Sequence, residues 1–85
     1  MTAPVYQRKY VEVYAVFEPD GRIKPLSLTW DDGESYEVDR ILDVRQAAAL
    51  KAGGNGLRYT CLFGGKQRYL FLQDDHRWFV ELKES

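Results

Sequence analysis

The chain has 85 residues, a net charge of −1, 45% hydrophobic residues and 14% aromatics, which describes one folded domain with a single modest core and excludes a disordered polymer. A single cysteine, Cys61, excludes an intrachain disulfide, and one histidine beside it is too little for a zinc site. The N-terminal residues lead into Arg8-Lys9 with no apolar run, so neither a signal peptide nor a membrane span is expected and a cytoplasmic location is predicted.

Six runs rich in β-branched and aromatic residues alternate with Gly, Pro and Asp clusters, the spacing of an all-β meander or small barrel. Residues 1–7 read as a flexible tail and 8–83 as the β-domain. The first run, Lys9–Glu18, alternates Val11, Val13, Ala15 and Phe17 on one face with Glu12 and Glu18 on the other. Pro19-Asp20-Gly21 then gives a three-residue hairpin loop. In the second run, Arg22–Trp30, the apolar phase changes between Ile23 and Leu26, so one extra residue is expected near Pro25. Asp31-Asp32-Gly33 forms a second three-residue loop, pairing Leu28 with Tyr36 and Leu26 with Val38.

The third run, Glu34–Val44, carries Glu37, Asp39, Arg40 and Asp43 and changes phase near Asp39-Arg40, which predicts a bend there. Gln46–Ala52 contains three alanines, Leu50 and Lys51, and reads as one or two helical turns ended by Gly53-Gly54. The fourth and fifth runs, Leu57–Phe63 and Gln67–Gln73, are joined through Gly64-Gly65-Lys66. A two-residue turn pairs Tyr59 with Leu70 and sets Arg58 beside Phe71, whereas a three-residue loop pairs Tyr59 with Phe71, and both remain open. The sixth run, Arg77–Leu82, follows a turn at Asp74-Asp75-His76. Together these predict a six-stranded, strongly bent antiparallel sheet or SH3-like small barrel with one short helical connection. Its core should hold Val11, Val13, Ala15, Phe17, Leu26, Leu28, Trp30, Tyr36, Val38, Tyr59, Leu70, Trp78 and Val80.

Charge is unevenly distributed. From Val44 to Gln73 there is no acid in 30 residues, while Arg45, Lys51, Arg58, Lys66 and Arg68 give that segment +5 against −6 elsewhere. Bases interleaved with Tyr59, Phe63, Tyr69 and Phe71 suit a sheet that follows a phosphate backbone and stacks exposed bases. The stronger reading makes the same bases a solvated face neutralised by acids such as Asp39 and Asp43, and an acidic overall balance is unlike a nucleic-acid binder. The glycines at 53, 54 and 56 follow the predicted helix, so they face the wrong end of its dipole for a phosphate loop. Glu37, Asp39 and Asp43 could act in acid–base chemistry, but no nucleophile, pocket or cofactor motif accompanies them. No catalytic residue, metal or cofactor is assigned.

The segment Trp30-Asp31-Asp32-Gly33, Tyr36 to Arg45, Lys51-Ala52-Gly53-Gly54, Gly56 to Thr60, Gly64-Gly65-Lys66, Tyr69-Leu70-Phe71 and Arg77 to Glu81 resembles a group of small bacterial proteins of unknown function. Its Trp-x-x-Gly-x-x-Tyr-x-Val pattern is also similar to a broader set of small β-domains, some found in the company of bacterial DNA-repair polymerases. The resemblance implies a β-domain and brings no activity, ligand or catalytic residue. The expected function is a non-enzymatic interaction domain, binding a protein partner or a second copy through an unpaired strand edge. The alternative is a nucleic-acid-binding module built on the five bases.

Overall fold

Alternation and turn chemistry carry through to seven strands in the computed structural model, which describes Val5–Ala48 and Asn55–Glu84. They are β1 (Val5–Phe17), β2 (Ile23–Thr29), β3 (Ser35–Glu37), β4 (Arg40–Ala48), β5 (Asn55–Phe63), β6 (Lys66–Gln73) and β7 (Trp78–Glu84). They form one antiparallel sheet in the order β3-β2-β1-β7-β6-β5-β4. Two long runs of chain curl it into a half-barrel. Val5–Val11 of β1 pair with β7, and Glu12–Phe17 of the same strand pair with β2. At the far side only Val38 and Asp39 separate β3 from β4. The Val38 N–H donates to the Leu26 carbonyl at 2.9 Å, and the next N–H, of Asp39, donates to the Leu62 carbonyl at 2.8 Å. The chain thereby passes from β2, next to one end of the sheet, to β5, next to the other.

That change of partner is why the third run becomes two strands and the expected six become seven. The bend falls at Asp39, as the phase change indicated, and the Asp39 carboxylate accepts the Gly64 N–H at 2.6 Å, tying the bend to the β5–β6 turn. The predicted helical connection is corrected in its first part: Gln46, Ala47 and Ala48 extend β4 opposite Leu57, Gly56 and Asn55. Alanine's helix preference amounts to only some tenths of a kcal/mol per residue, roughly, and a helix this short does not pass its nucleation cost alone. The rest of that expectation, Ala49–Ala52, lies outside the described residues. The expected tail is also shorter, because Val5, Tyr6 and Gln7 pair with Glu84, Lys83 and Leu82; residues 1–4 lie outside the described residues.

Hairpin registers follow the turns. Phe17 pairs with Ile23 and Leu28 with Tyr36, as three-residue loops require. Gly64 and Gly65 both have positive φ, 55° and 82°, which selects the two-residue turn. Tyr59 therefore opposes Leu70, Arg58 opposes Phe71 and Thr60 opposes Tyr69.

The interior of the curl is built on Leu28, Tyr59, Cys61, Leu70 and Leu72, with Val11, Val13, Trp30, Val38, Trp78 and Val80 among the half-buried residues packed on it. Four expected core residues are outside it: Ala15 is half-buried, and Phe17, Leu26 and Tyr36 are 70%, 47% and 47% exposed. The β1–β2 register skips Leu26 between Ser27 and Pro25, so Pro25 takes the inward place and is fully buried. Phe17 lies at the hairpin end and Tyr36 on the sheet-terminal β3, where too few neighbours remain to cover them. Across the interior the Tyr59 hydroxyl donates to the Ile23 carbonyl at 2.5 Å, joining β5 to β2 and holding the curl. Tyr59→Phe should cost about 1–3 kcal/mol, because it leaves that carbonyl without its partner; urea unfolding measures it. Burial pushes the Cys61 thiol up to about 11. Cys61 should therefore stay unreactive toward Ellman's reagent in mildly alkaline buffer and become reactive only on unfolding.

Candidate interaction surface

Strand parity decides where the five bases go. Arg45 and Arg58 are direct cross-strand partners on β4 and β5, and share the outer face of the sheet. Lys66 and Arg68 oppose Phe63 and Cys61, so they have the other parity, at the β5–β6 hairpin end. Arg68 donates to the Gln67 carbonyl at 2.8 Å. Lys51 lies outside the described residues. Among the described bases, the acid-free segment thus supplies one pair to the outer face and a second pair elsewhere.

The outer face recruits bases from outside that segment. A cross-strand row runs Tyr10, Phe79, Phe71, Arg58, Arg45 over β1, β7, β6, β5 and β4. Phe71 and Phe79 stack at 4.9 Å and 7°, and Tyr10 meets Phe79 edge-on at 6.0 Å. The Arg8 guanidinium lies 4.3 Å above Phe79, that of Arg77 lies 4.5 Å from the Tyr10 ring, and that of Arg58 lies 4.7 Å from Tyr69. This cover explains how Phe71 and Phe79, on the outside of the curl, are only 8% and 2% exposed. Such contacts are worth roughly 0.5–2 kcal/mol each. Sequence reasoning placed Arg58 beside Phe71 under the two-residue turn and missed the rest of this layer, because Arg8 and Gln73, which bond through their side chains, lie 65 positions apart. The available signal was parity: Phe71 and Phe79 alternate against Leu70, Leu72, Trp78 and Val80.

Acids neutralise much of this face. Arg45 Nε donates to Asp43 at 2.7 Å and Arg77 Nε to Asp75 at 2.8 Å. The Gln73 amide also donates to Asp75, at 2.9 Å, while accepting the Tyr10 hydroxyl at 2.8 Å. Hydrogen bonds from Gln73 and Arg77 hold the Asp75 carboxyl down to about 2, and the bond with Arg8 lowers the Tyr10 hydroxyl. The sign is that of a carboxylate stabilised in the folded state. Its contribution is complete above the ordinary carboxylate range and is lost as pH falls through about 2. In an NMR titration Asp75 should be among the last carboxylates to protonate.

The carboxylates considered for acid–base chemistry do not gather. Asp39 serves the β5–β6 turn, Asp43 binds Arg45, and Glu37 is exposed on β3. Among the described residues no group of three or more His, Cys, Asp or Glu side chains could hold a metal. His76 occupies the turn before β7 with φ 68°.

The sheet ends are the remaining feature. β3 is three residues long, whereas β4 is nine. β4 is paired with β5 alone among the described strands. Leu42 and Val44 are 44% and 47% exposed on it, flanking Asp43. The β4–β5 register skips Leu42, a bulge that twists the first turn of the strand away from regular pairing. Compared with known proteins, the chain matches no protein-family model, no curated protein and no solved structure.

Proposed function

We propose that this is a non-enzymatic interaction domain, SH3-like in build, that receives a protein partner as an added strand along β4. The observation that carries the reading is a nine-residue terminal strand with exposed Leu42 and Val44. Such an edge offers backbone donors and acceptors for affinity and alternate side-chain positions for specificity. The near-continuity of β3 and β4 across Val38-Asp39 supports the barrel-like build. Extended peptides selected by display against the folded domain should protect β4 amides from hydrogen exchange and lose about tenfold or more in affinity for Val44→Lys. Selected peptides that bind Val44→Lys unchanged, or that protect only other strands, would remove the reading.

A second reading is favoured by one arrangement. Arg45 and Arg58 are adjacent on the outer face beside Tyr69, which is 47% exposed, a small stacking and phosphate-contact site for single-stranded nucleic acid. It predicts oligonucleotide binding at low salt that falls steeply with added salt and with Arg45→Ala/Arg58→Ala together. The ion pair of Arg45 with Asp43 opposes it, since a phosphate must displace that carboxylate.

A further inference from the structure

We infer that the strand added along β4 belongs to a second copy of this chain, paired antiparallel about a two-fold axis through Val44. The inference rests on the strand-addition reading and specifies its occupant. Antiparallel pairing that continues a sheet keeps outer residues with outer and inner with inner, so a two-fold axis must pass through a residue. Three central positions are then available in the middle of β4.

An axis through Asp43 sets that carboxylate against its own copy, and an axis through Arg45 does the same with two guanidiniums. Like charges directly opposite one another are destabilising. The axis through Val44 sets exposed Val44 against Val44 and places Asp43 opposite Arg45 of the second copy, twice. It is also the midpoint of Arg40–Ala48, and the face-matched pairs it makes are those of Asp43, Val44 and Arg45, up to the bulge at Leu42. Within each chain Arg45 already bonds Asp43 on the outer face. The pairing completes an alternating square of two carboxylates and two guanidiniums, where each charge has two opposite neighbours. Such a network outperforms an isolated surface pair.

Two other open edges, on β3 and β6, lack this self-complementarity. β3 is short, with Glu34 just before it and Glu37 at its end. β6 and β7 pair only at Phe71–Phe79 and Leu72–Trp78, which leaves the β6 side of Lys66–Leu70 without a strand among the described residues. Its midpoint is Arg68, so two-fold pairing there opposes two guanidiniums. The bulge at Leu42 brackets the central pairs of the β4 dimer on both sides and keeps the interface small. The association therefore belongs to the weak, concentration-dependent class.

Sedimentation velocity across micromolar to millimolar concentration tests this on the full chain. Wild type should show a monomer–dimer equilibrium. Asp43→Arg and Arg45→Asp should each weaken it about tenfold or more, because each chain then presents one sign of charge at both positions. An equimolar mixture of the two variants should associate more tightly than either alone, since one chain is then doubly positive and the other doubly negative. Circular dichroism and urea midpoints check that both variants fold. A wild type that stays monomeric at millimolar concentration, or dimers indifferent to both substitutions and to mixing, would overturn the inference. Selected peptides that still bind β4 in that case leave the strand-addition reading standing; their absence removes both.

Discussion

Leu70→Ala is expected to lower the unfolding free energy by about 3–5 kcal/mol, a large share of what a domain of this size possesses. Leu70 is 0% exposed and sits mid-strand on β6, opposite Tyr59. Truncation removes roughly three methylene equivalents of burial and leaves a cavity whose walls belong to paired strands. Those walls cannot close without moving the β5–β6 ladder or the Tyr59 ring, which lies 5.4 Å from Trp78. Small domains hold a net stability of about 0.05–0.15 kcal/mol per residue, so the variant should unfold at a much lower urea concentration than the wild type. Urea titration followed by tryptophan fluorescence measures the loss. Leu70→Met conserves volume and should cost less than about 1.5 kcal/mol. A loss below about 1 kcal/mol for the alanine variant would mean that the interior collapses around the deletion.

The strands and most registers were legible because two local signals agree. Pro19-Asp20-Gly21 and Asp31-Asp32-Gly33 fix loop length, and the parity of Phe17, Ile23, Leu28 and Tyr36 then admits one alignment. Parity alone could not place Leu26, because it lets the skipped residue fall on either side of Pro25, and only the packed structure puts Pro25 inward. It did set Leu70, Trp78 and Val80 inside, but not that Phe71 and Phe79 would be buried on the outer face. When both faces of a strand are apolar, alternation says which residues share a face and not whether the outer face is covered. The two-residue turn at Gly64-Gly65 was one of two alternatives until the backbone torsions chose it. The alanines after Gln46 misled for a different reason: intrinsic propensity is weak, and three cross-strand partners on β5 outweigh it at residues 46–48.

The candidate site was legible only in fragments. The acid-free segment contains two of the outer-face bases, Arg45 and Arg58, but sheet parity separates them from Lys66 and Arg68. Arg8 and Arg77 complete the layer from acid-bearing parts of the chain, and no local pattern joins them. The Asp43-Val44-Arg45 triplet was in plain view. Its self-complementarity acquires meaning only once β4 is known to end the sheet, which is a property of topology. The carboxylate that first counted as a neutraliser of Arg45 becomes, on an open edge, one half of a matching rule for a second chain.

Gly56→Ala should destabilise the domain by about 3 kcal/mol, and here the cause is space. A Cβ at Gly56 would lie 2.2 Å from the Leu72 carbonyl oxygen, 3.1 Å from the Leu72 carbonyl carbon and 3.3 Å from the Gln73 Cα. All three are backbone atoms of β6, so relief requires the β5 and β6 ladders to part. Gly65→Ala provides the contrast, since nothing lies within 4 Å of its Cβ but its φ is +82°. It should cost about 1–2 kcal/mol through conformation alone. Urea unfolding separates the two magnitudes, and hydrogen exchange separates the mechanisms. Gly56→Ala should lose protection locally from Gly56 to Tyr59 and across to Gln73, whereas Gly65→Ala should lose it only in proportion to global stability. Gly56 also stands opposite Ala47 of β4. Loosening β5 there removes the support for the second half of β4, so Gly56→Ala should weaken strand addition along β4 more than an equally destabilising core substitution. Equal weakening by both would assign the effect to overall stability and leave Gly56 no part in holding the edge.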